Sequence, residues 1–181
     1  EAYYKAAEYA HKISPSAEAA TGLGNMSYVK GDLDKAIEYY QEAVNLSTED
    51  LDIADNLFRI AQVYYKKGEY TNVRKYCKES LAKNPAQGQP HIMLGLVYAQ
   101  AKVSDDPTLQ KAVYWASVDQ FAKAKSVEPT EDMVEQANKL IRTYSAYFPS
   151  KEEVFMHPDV EEGKSHFVGG WVSESTTVRS K

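Results

Sequence analysis

The sequence predicts an all-α fold, built of stacked helical hairpins and closed by a short β-hairpin or irregular tail. A pattern of small and large apolar residues recurs three times before residue 130. Glycines or prolines stand where the helices of that pattern should end, because glycine adopts a left-handed conformation easily and proline cannot continue a helix. After Pro149 the pattern stops and β-branched residues become frequent, which favours strands.

The composition is that of a globular domain rather than of a nucleic-acid-binding or membrane-spanning chain. Hydrophobic residues make up 43% of the 181 residues, and 21 basic against 26 acidic residues leave a net charge of -5. No basic cluster provides the electrostatic surface that nucleic acid requires. No apolar run approaches the ~20 residues of a transmembrane helix. The single cysteine, Cys77, excludes an internal disulfide.

Three stretches of the chain align as repeats, at about residues 17–50, 54–87 and 88–129. In each repeat a small residue follows a larger apolar one, at a place where two helices should cross too closely for a larger side chain. These pairs are Leu23–Gly24, Ile60–Ala61 and Leu94–Gly95. The second helices carry small and aromatic residues at helical spacing, namely Ala36, Tyr40 and Ala43, then Val73, Cys77 and Ser80, then Ser117, Phe121 and Ala124.

The repeats extend at both ends and carry two insertions. Residues 1–16 are typical of the second helix of a further, partial repeat. Residues 130–147 are typical of a capping helix that begins after Thr130, so the helical-repeat domain is predicted to span residues 1–148. Gly31 and Gly68 should end the first helices of the first two repeats. We place a short insertion at 47–53 and a longer one at 101–110, the latter as a widened turn before a helix over 111–127.

Residues 149–181 form a separate tail with the composition of a β-hairpin. In one arrangement, strands at 165–172 and 175–179 turn at Ser173-Glu174; in the other, the chain turns at Gly169-Gly170. An isolated hairpin is only marginally stable in water. We therefore expect the hairpin to pack on the last helices, with Phe167 and Trp171 as anchors.

The repeat pattern over residues 1–147 resembles the tetratricopeptide repeat family. Three closing stretches look like the C-terminus of tetratricopeptide proteins from Bacteroides-type bacteria, which are usually longer and often carry an export signal. These stretches are Ala112–Pro129, Tyr147–Pro149 and Gly169–Arg179. The resemblance implies a C-terminal fragment of a longer protein and a place in the cell envelope. It implies a protein or peptide partner, and it brings no established activity.

The first helices of such repeats line the concave side of the stack, so they predict the position of a binding groove. Amide and tyrosine groups there can bond the backbone of an extended peptide, and apolar groups can accept its side chains. Asn25 matches an asparagine that often contacts peptide backbone in the family. The competing interpretation is that tyrosines at helical spacing serve packing alone. The predicted groove residues are Thr21, Asn25, Tyr28, Phe58, Gln62, Tyr65, Ile92 and Leu96.

Some members of the family bind C-terminal carboxylates with a clamp of lysine, asparagine and arginine side chains. The matching positions here hold Thr21, Asn25, Arg59, Gln89 and Met93, so most of the positive charge is missing. The resemblance therefore does not extend to that kind of recognition.

No candidate catalytic or metal site emerges from the sequence. The four histidines have no metal-ligand spacing with one another; they are His11, His91, His157 and His166. Cys77 replaces an aromatic residue on a second helix and is predicted to be a small buried residue rather than a nucleophile. We therefore predict a scaffold without catalysis, metal or cofactor.

Two other functions stay open. The exposed N-terminal edge could pair two copies of the chain, as a homodimer or as a structural component of a cell-envelope complex. A ligand-binding or enzymatic site could lie where the tail meets the last helices, near Trp115, Tyr144 and Trp171. A deep pocket with convergent polar groups would favour that site.

Overall fold

A computed structural model describes residues 2–181, which are mostly helical and carry one small antiparallel sheet. The chain divides into two compact units, with the boundary between Pro85 and Ala86. The first unit contains α1 (Ala2–Ile13), α2 (Ala17–Lys30), α3 (Leu33–Leu46), α4 (Asp50–Lys67) and α5 (Tyr70–Lys83). The second unit contains α6 (Gln89–Tyr98), α7 (Pro107–Gln110), α8 (Ala112–Val127), α9 (Glu131–Ser145), α10 (Lys151–Met156), β1 (Ser165–Val168) and β2 (Glu174–Thr177). The prediction of an all-α fold with a short C-terminal hairpin is confirmed. Within the described residues, no helix combines the length and the apolar character that crossing a bilayer requires.

Glycine closes the first helix of each hairpin in the first unit, as predicted. Gly31 and Gly68 have φ angles of 84° and 75°, and their N–H groups donate to carbonyls of the preceding turn. At the helix starts, the Ser16 hydroxyl caps α2 and the Asp32 carboxylate caps α3, each by accepting from a backbone N–H of the first turn. The bounds of these helices therefore follow from local sequence.

The short insertion placed at 47–53 is partly helical. Only residues 47–49 connect α3 to α4, because α4 begins at Asp50 and runs for 18 residues. Asp50 and Asp52 lie in the first turn of α4. Carboxylates favour the positive end of the helix dipole, which accounts for the early start.

Small residues lie where the paired helices cross, as predicted. A Cβ atom on Gly24 would lie 2.5 Å from Cε1 of Tyr40, and one on Gly95 would lie 2.4 Å from Cε1 of Phe121. Ala61, at the equivalent place of the second repeat, is fully buried. In the first and third hairpins an aromatic ring of the second helix fills the space above the glycine, so the two helices pack without a void.

The longer insertion of the second unit is an ordered connection between α6 and α8. Asp106 caps α7 by accepting from two backbone N–H groups of the following turn. The Gln110 side chain bonds the backbone at residues 101, 103 and 104, which ties the connection to itself. The helix predicted over 111–127 begins at Ala112, so that prediction is confirmed.

The tail forms a two-stranded antiparallel hairpin. Ser165 pairs with Thr177, and Val168 pairs with Glu174. Residues 169–173 connect the strands, so the turn at Gly169-Gly170 is confirmed. The turn at Ser173-Glu174 is wrong, because Glu174 already belongs to the β2 ladder.

The anchors of the hairpin differ from the prediction. Phe167 is 61% exposed and does not anchor the hairpin, whereas Val168 and Val178 are buried. Neighbouring residues of a strand point to opposite faces, so the burial of Val168 turns Phe167 outward. Trp171 is half-buried, with its ring centroid 6.0 Å from that of Tyr98, as expected of an anchor.

Polar contacts also hold the tail on α8. Arg179 donates to the Asp119 carboxylate at 2.8 Å and to the Trp115 carbonyl at 2.9 Å. The indole Nε1 of Trp115 donates in turn to the Arg179 carbonyl at 2.7 Å. Because these bonds are partly shielded from water and one involves two charges, they fix the C-terminal segment to the helix.

Candidate functional site

A groove runs between α2 and α4 of the first unit, and we call it the α2/α4 groove. It consists of a cavity of about 550 Å³ and an adjoining one of about 240 Å³, which share Asn25 and Arg59 in their walls. Four of the predicted groove residues line it, namely Thr21, Asn25, Tyr28 and Gln62. These four residues come from two helices, and their side chains meet at one surface.

Asn25 lies at the centre of the α2/α4 groove and is held in one orientation. Its Oδ1 accepts hydrogen bonds from the Tyr40 hydroxyl at 2.8 Å and from Arg59 Nη1 at 3.1 Å. Guanidinium only donates, so the oxygen of the amide must face Arg59. Burial raises the pKa of the Tyr40 hydroxyl, which keeps it protonated as a donor. The Asn25 amide nitrogen has no hydrogen-bond partner in the part of the chain that the structure describes, so its donors stay available.

Thr21 forms part of the groove wall, and its hydroxyl is already hydrogen-bonded within the protein. Its hydroxyl lies 2.9 Å from both the Ala17 carbonyl and Asn56 Oδ1, and it can donate to one of them at a time. Asn56 is 4% exposed, and its amide nitrogen donates to the Asp52 carbonyl at 3.0 Å. This network links α2 to α4 and makes the groove wall rigid.

Tyr28 lies in the last turn of α2, while Phe58 and Tyr65 lie on α4. Tyr28 is half-buried, and Lys66 Nζ lies 4.7 Å from the centre of its ring. Tyr65 is 43% exposed and packs beside Tyr70, whereas Phe58 is half-buried. Neither Phe58 nor Tyr65 lines the two cavities, so these two residues stay predictions.

Ile92 is wrong as a groove residue. It is 3% exposed and packs in a core cluster with Phe121 of α8 and Met133 of α9. Leu96, one turn further along α6, is partly buried against the same cluster. The helix predicted as a cap, α9, covers this face of α6 and occupies the place that a ligand would need.

The α2/α4 groove is acidic at the end where both of its helices begin. The side chains of Glu18, Asp52 and Asp55 line the larger cavity and are exposed. None of these carboxylates has a hydrogen-bond or ion-pair partner among residues 2–181, in contrast to Asp50, which pairs with Lys83 at 3.0 Å. A surface with this charge balance does not suit a carboxylate-terminated ligand.

Sequence reasoning missed the apolar end of the groove. Met26 and Val29 of α2 line a further cavity of about 410 Å³ together with Tyr3 of α1, and Val29 is 85% exposed. Their position on α2, about one turn from Asn25, is the sequence feature that could have predicted their place in the groove. Tyr40 and Arg59 were also missed as the groups that orient Asn25, because their contacts span 15 and 34 positions of the sequence.

The predicted alternative site near the tail is not formed by the residues named for it. Trp115 is fully buried and bonded to the tail backbone, and Tyr144 packs its ring 5.3 Å from that of Phe121. A cavity of about 990 Å³ in this unit instead lies beside α10, with Val154 and Phe155 in its wall. Trp115, Tyr144 and Trp171 do not line this cavity.

Packing contacts surround Cys77 and two of the histidines, His91 and His166. Cys77 is fully buried, and burial raises the pKa of its thiol. His91 Nδ1 lies 2.8 Å from Gln120 Oε1, within the helix packing of the second unit. Burial lowers the pKa of His166, whose ring meets the Trp115 ring edge-on at 5.7 Å. Across residues 2–181, no three or more His, Cys, Asp or Glu side chains are grouped so as to hold a metal.

Comparison with protein families and curated proteins identifies a repeat in the first unit. Residues 17–50 match the family described as "Tetratricopeptide repeat". The chain is also 31% identical over 68 residues to the photosystem I assembly protein Ycf3 of Prochlorococcus marinus (strain NATL1A). That match covers 38% of this chain and 39% of the relative, so the chain spans well under half the length of the curated relatives it matches.

Solved structures share the fold at low sequence identity. The first tetratricopeptide domain of Spaghetti (RPAP3), bound to the HSP90 peptide SRMEEVD, superposes with a TM-score of 0.55 at 15% identity. That match covers 74% of this chain and 93% of that domain. The TPR2B domain of yeast Sti1, in a complex with pHsp70, gives a TM-score of 0.58 at 17% identity over 72% of this chain and 96% of that one. These likenesses establish the fold.

Proposed function

Because residues 17–50 are a tetratricopeptide repeat and the helices have the fold of tetratricopeptide proteins, we propose that this chain is a non-catalytic scaffold that binds an extended polypeptide segment in the α2/α4 groove. Asn25, Tyr28 and Gln62 carry the binding, and Arg59 and Tyr40 position Asn25. The groove residues rather than the fold indicate the ligand, since one fold serves many partners.

The observation that carries the proposal is the unpaired amide nitrogen of Asn25. Its oxygen is held by Tyr40 and Arg59, so the side chain is oriented before any ligand arrives. An extended peptide exposes backbone carbonyls that need donors, and a donor that is already oriented loses little conformational entropy on binding. The groove therefore provides a preorganised contact to the main chain of a partner.

The solved relatives support a polypeptide as the ligand class. The structure of the RPAP3 domain contains a bound peptide, and that of the Sti1 domain is a complex with pHsp70. The HSP90 peptide bound to the RPAP3 domain is acidic, and this preference concerns that domain alone. It does not carry over to this chain, where Glu18, Asp52 and Asp55 line the larger cavity.

Selection from a displayed random peptide library tests the proposal. Peptides selected on the wild-type protein are synthesised with a fluorophore, and their binding is measured by fluorescence anisotropy. We expect Asn25→Ala to weaken binding about tenfold, because truncation of a central interface residue costs about 1–2 kcal/mol. Glu38→Ala on α3 is the control, since Glu38 is exposed and does not line the groove. Equal weakening by both variants, or by neither, refutes groove binding.

Self-association through α1 is the second candidate. Tyr9 and Ile13 are each 69% exposed and lie four positions apart on this helix, where they form an apolar surface. Sedimentation velocity of the wild-type chain and of Tyr9→Lys tests it. A dimer that the substitution converts to a monomer favours this function, and a monomer at all concentrations excludes it.

A further inference from the structure

We propose that the partner segment of the α2/α4 groove carries a bulky apolar side chain and, about five residues away, a lysine or arginine. This inference rests on the proposed function and specifies the ligand of the same groove. It follows from the different chemistry of the two ends of the groove and from the distance between them.

The apolar end is built by α1 and α2. Tyr3 and Val29 are 79% and 85% exposed, and with Met26 they line the cavity of about 410 Å³. This cavity shares Asn25 and Val29 with the smaller cavity of the α2/α4 groove, so the two adjoin. Exposed apolar side chains around a concavity are typical of places where a partner inserts a side chain.

The Lys30 ammonium at this end contacts an aromatic ring. Its Nζ lies 4.1 Å from the centre of the Tyr4 ring, which it contacts as a cation–π partner. This contact draws the ammonium onto Tyr4, where it keeps its positive charge and would repel a cationic group of the ligand. An apolar side chain is therefore the complement of this end.

The opposite end of the groove complements a cation. Glu18, Asp52 and Asp55 line the larger cavity without an ion-pair partner among the described residues. Arg59, the basic residue of that wall, is bonded to Asn25. A ligand carboxylate would face three like charges, whereas lysine or arginine would find opposite charges. Such complementarity selects partners and speeds their association.

The separation of the two ends sets the spacing in the ligand. Glu18 and Val29 lie on the same helix, roughly 16 Å apart at about 1.5 Å of rise per residue. An extended chain advances ~3.3 Å per residue and covers that distance in about five residues. Asn25 lies between the two ends, where it can donate to the backbone of the intervening residues.

The test uses the library-selected peptides and changes both sides of the contact. We expect selected peptides to carry Lys or Arg about four to six positions from Phe, Leu or Met, given the ~16 Å span on the helix. Replacing that Lys or Arg by Glu should weaken binding at least about tenfold, since like charges then face each other. The charge-inverted variant Asp55→Lys should reverse the preference between the two peptides.

Substitution at the apolar end provides an independent measurement. Val29→Ser should weaken binding of the selected peptides about tenfold, as expected of an anchor residue. Leu51→Ser is the matched control, because Leu51 is 63% exposed in the same unit and lies outside the groove cavities. The peptide-side replacement needs no protein variant, so it gives a result even if a variant folds poorly.

The outcomes separate this inference from the proposed function. If selected peptides lose affinity with Asn25→Ala but show no basic and apolar pair, the ligand class is wrong and groove binding stands. If no selected peptide responds to Asn25→Ala, both the groove and its ligand class are refuted.

Discussion

Tyr40 of α3 lies directly against Gly24 of α2, and its hydroxyl donates to the neighbouring Asn25. A Cβ atom on Gly24 would be 2.5 Å from the Tyr40 ring, while the hydroxyl is 2.8 Å from Asn25 Oδ1. The absence of a side chain at residue 24 is therefore what allows the tyrosine to reach across the hairpin. One contact thus joins the packing of the repeat to the orientation of its central groove residue.

Gly24→Ala should destabilise the first unit. The added methyl would displace the Tyr40 ring, and overpacking of this kind costs about 1–3 kcal/mol. Gly22→Ala on the same helix is the control, because nothing lies within 4 Å of its Cβ position. Alanine should there raise stability by up to about 1 kcal/mol, since glycine is the weaker helix former. Urea unfolding midpoints measure both changes, and equal shifts of the two variants would argue against the close crossing.

Arg179→Ala should loosen the C-terminal hairpin. It removes the bonds to the Asp119 carboxylate and the Trp115 carbonyl, and a hydrogen bond to a charged group contributes about 1.5–3 kcal/mol. We expect faster amide hydrogen exchange in the hairpin. Arg142→Ala is the control, because Arg142 is an exposed residue of α9. Unchanged exchange in Arg179→Ala would mean that apolar packing alone holds the tail.

The start of α10 should lose its cap at low pH. Lys111, at 2.6 Å, and the Ser150 N–H lower the pKa of Glu153 to about 2. Since an unfolded glutamate has a pKa of about 4.3, the stabilisation is complete above about pH 5 and is lost as the pH falls through about 2.

Glu153→Gln provides the measurement for this pH dependence. The variant should have a lower Tm than the wild-type chain at neutral pH, and the difference should vanish as the pH approaches about 2. Glu152→Gln, at an exposed neighbour, is the control. A Tm difference for Glu153→Gln that stays constant across this range would contradict the assigned ion pair.

Cys77 should resist thiol reagents in the folded chain. The side chain is fully buried, and burial raises the pKa of its thiol, so the reactive thiolate is scarce near neutral pH. Labelling with a chromogenic disulfide reagent should be slow in buffer and rapid in denaturant. Rapid labelling of the native protein would show that α5 opens locally.

The repeat pattern was predictable from sequence because its causes are local. Gly31 and Gly68 end helices through their own backbone conformation, and Gly24 and Gly95 mark crossings where a Cβ atom would meet an aromatic ring. These signals depend on spacing within a few turns of helix. They needed no knowledge of distant parts of the chain.

The tail and the third repeat contain features that the sequence pattern does not predict. Phe167 is the larger hydrophobic residue, yet the buried face of the hairpin belongs to its neighbour Val168. Ile92 occupies the same position in its repeat as Phe58, but α9 covers it. The size and spacing of a side chain do not reveal which later element will pack on it.

The sequence by itself determined the class of fold, the hairpin ends and the position of Asn25 on the first helix. Only the tertiary structure decided that Arg59 and Tyr40 hold the Asn25 oxygen and that Tyr3 joins Val29 at the apolar end. Helix bounds follow from short-range backbone energetics. The orientation of a groove residue depends instead on partners from other helices, which folding alone brings into contact.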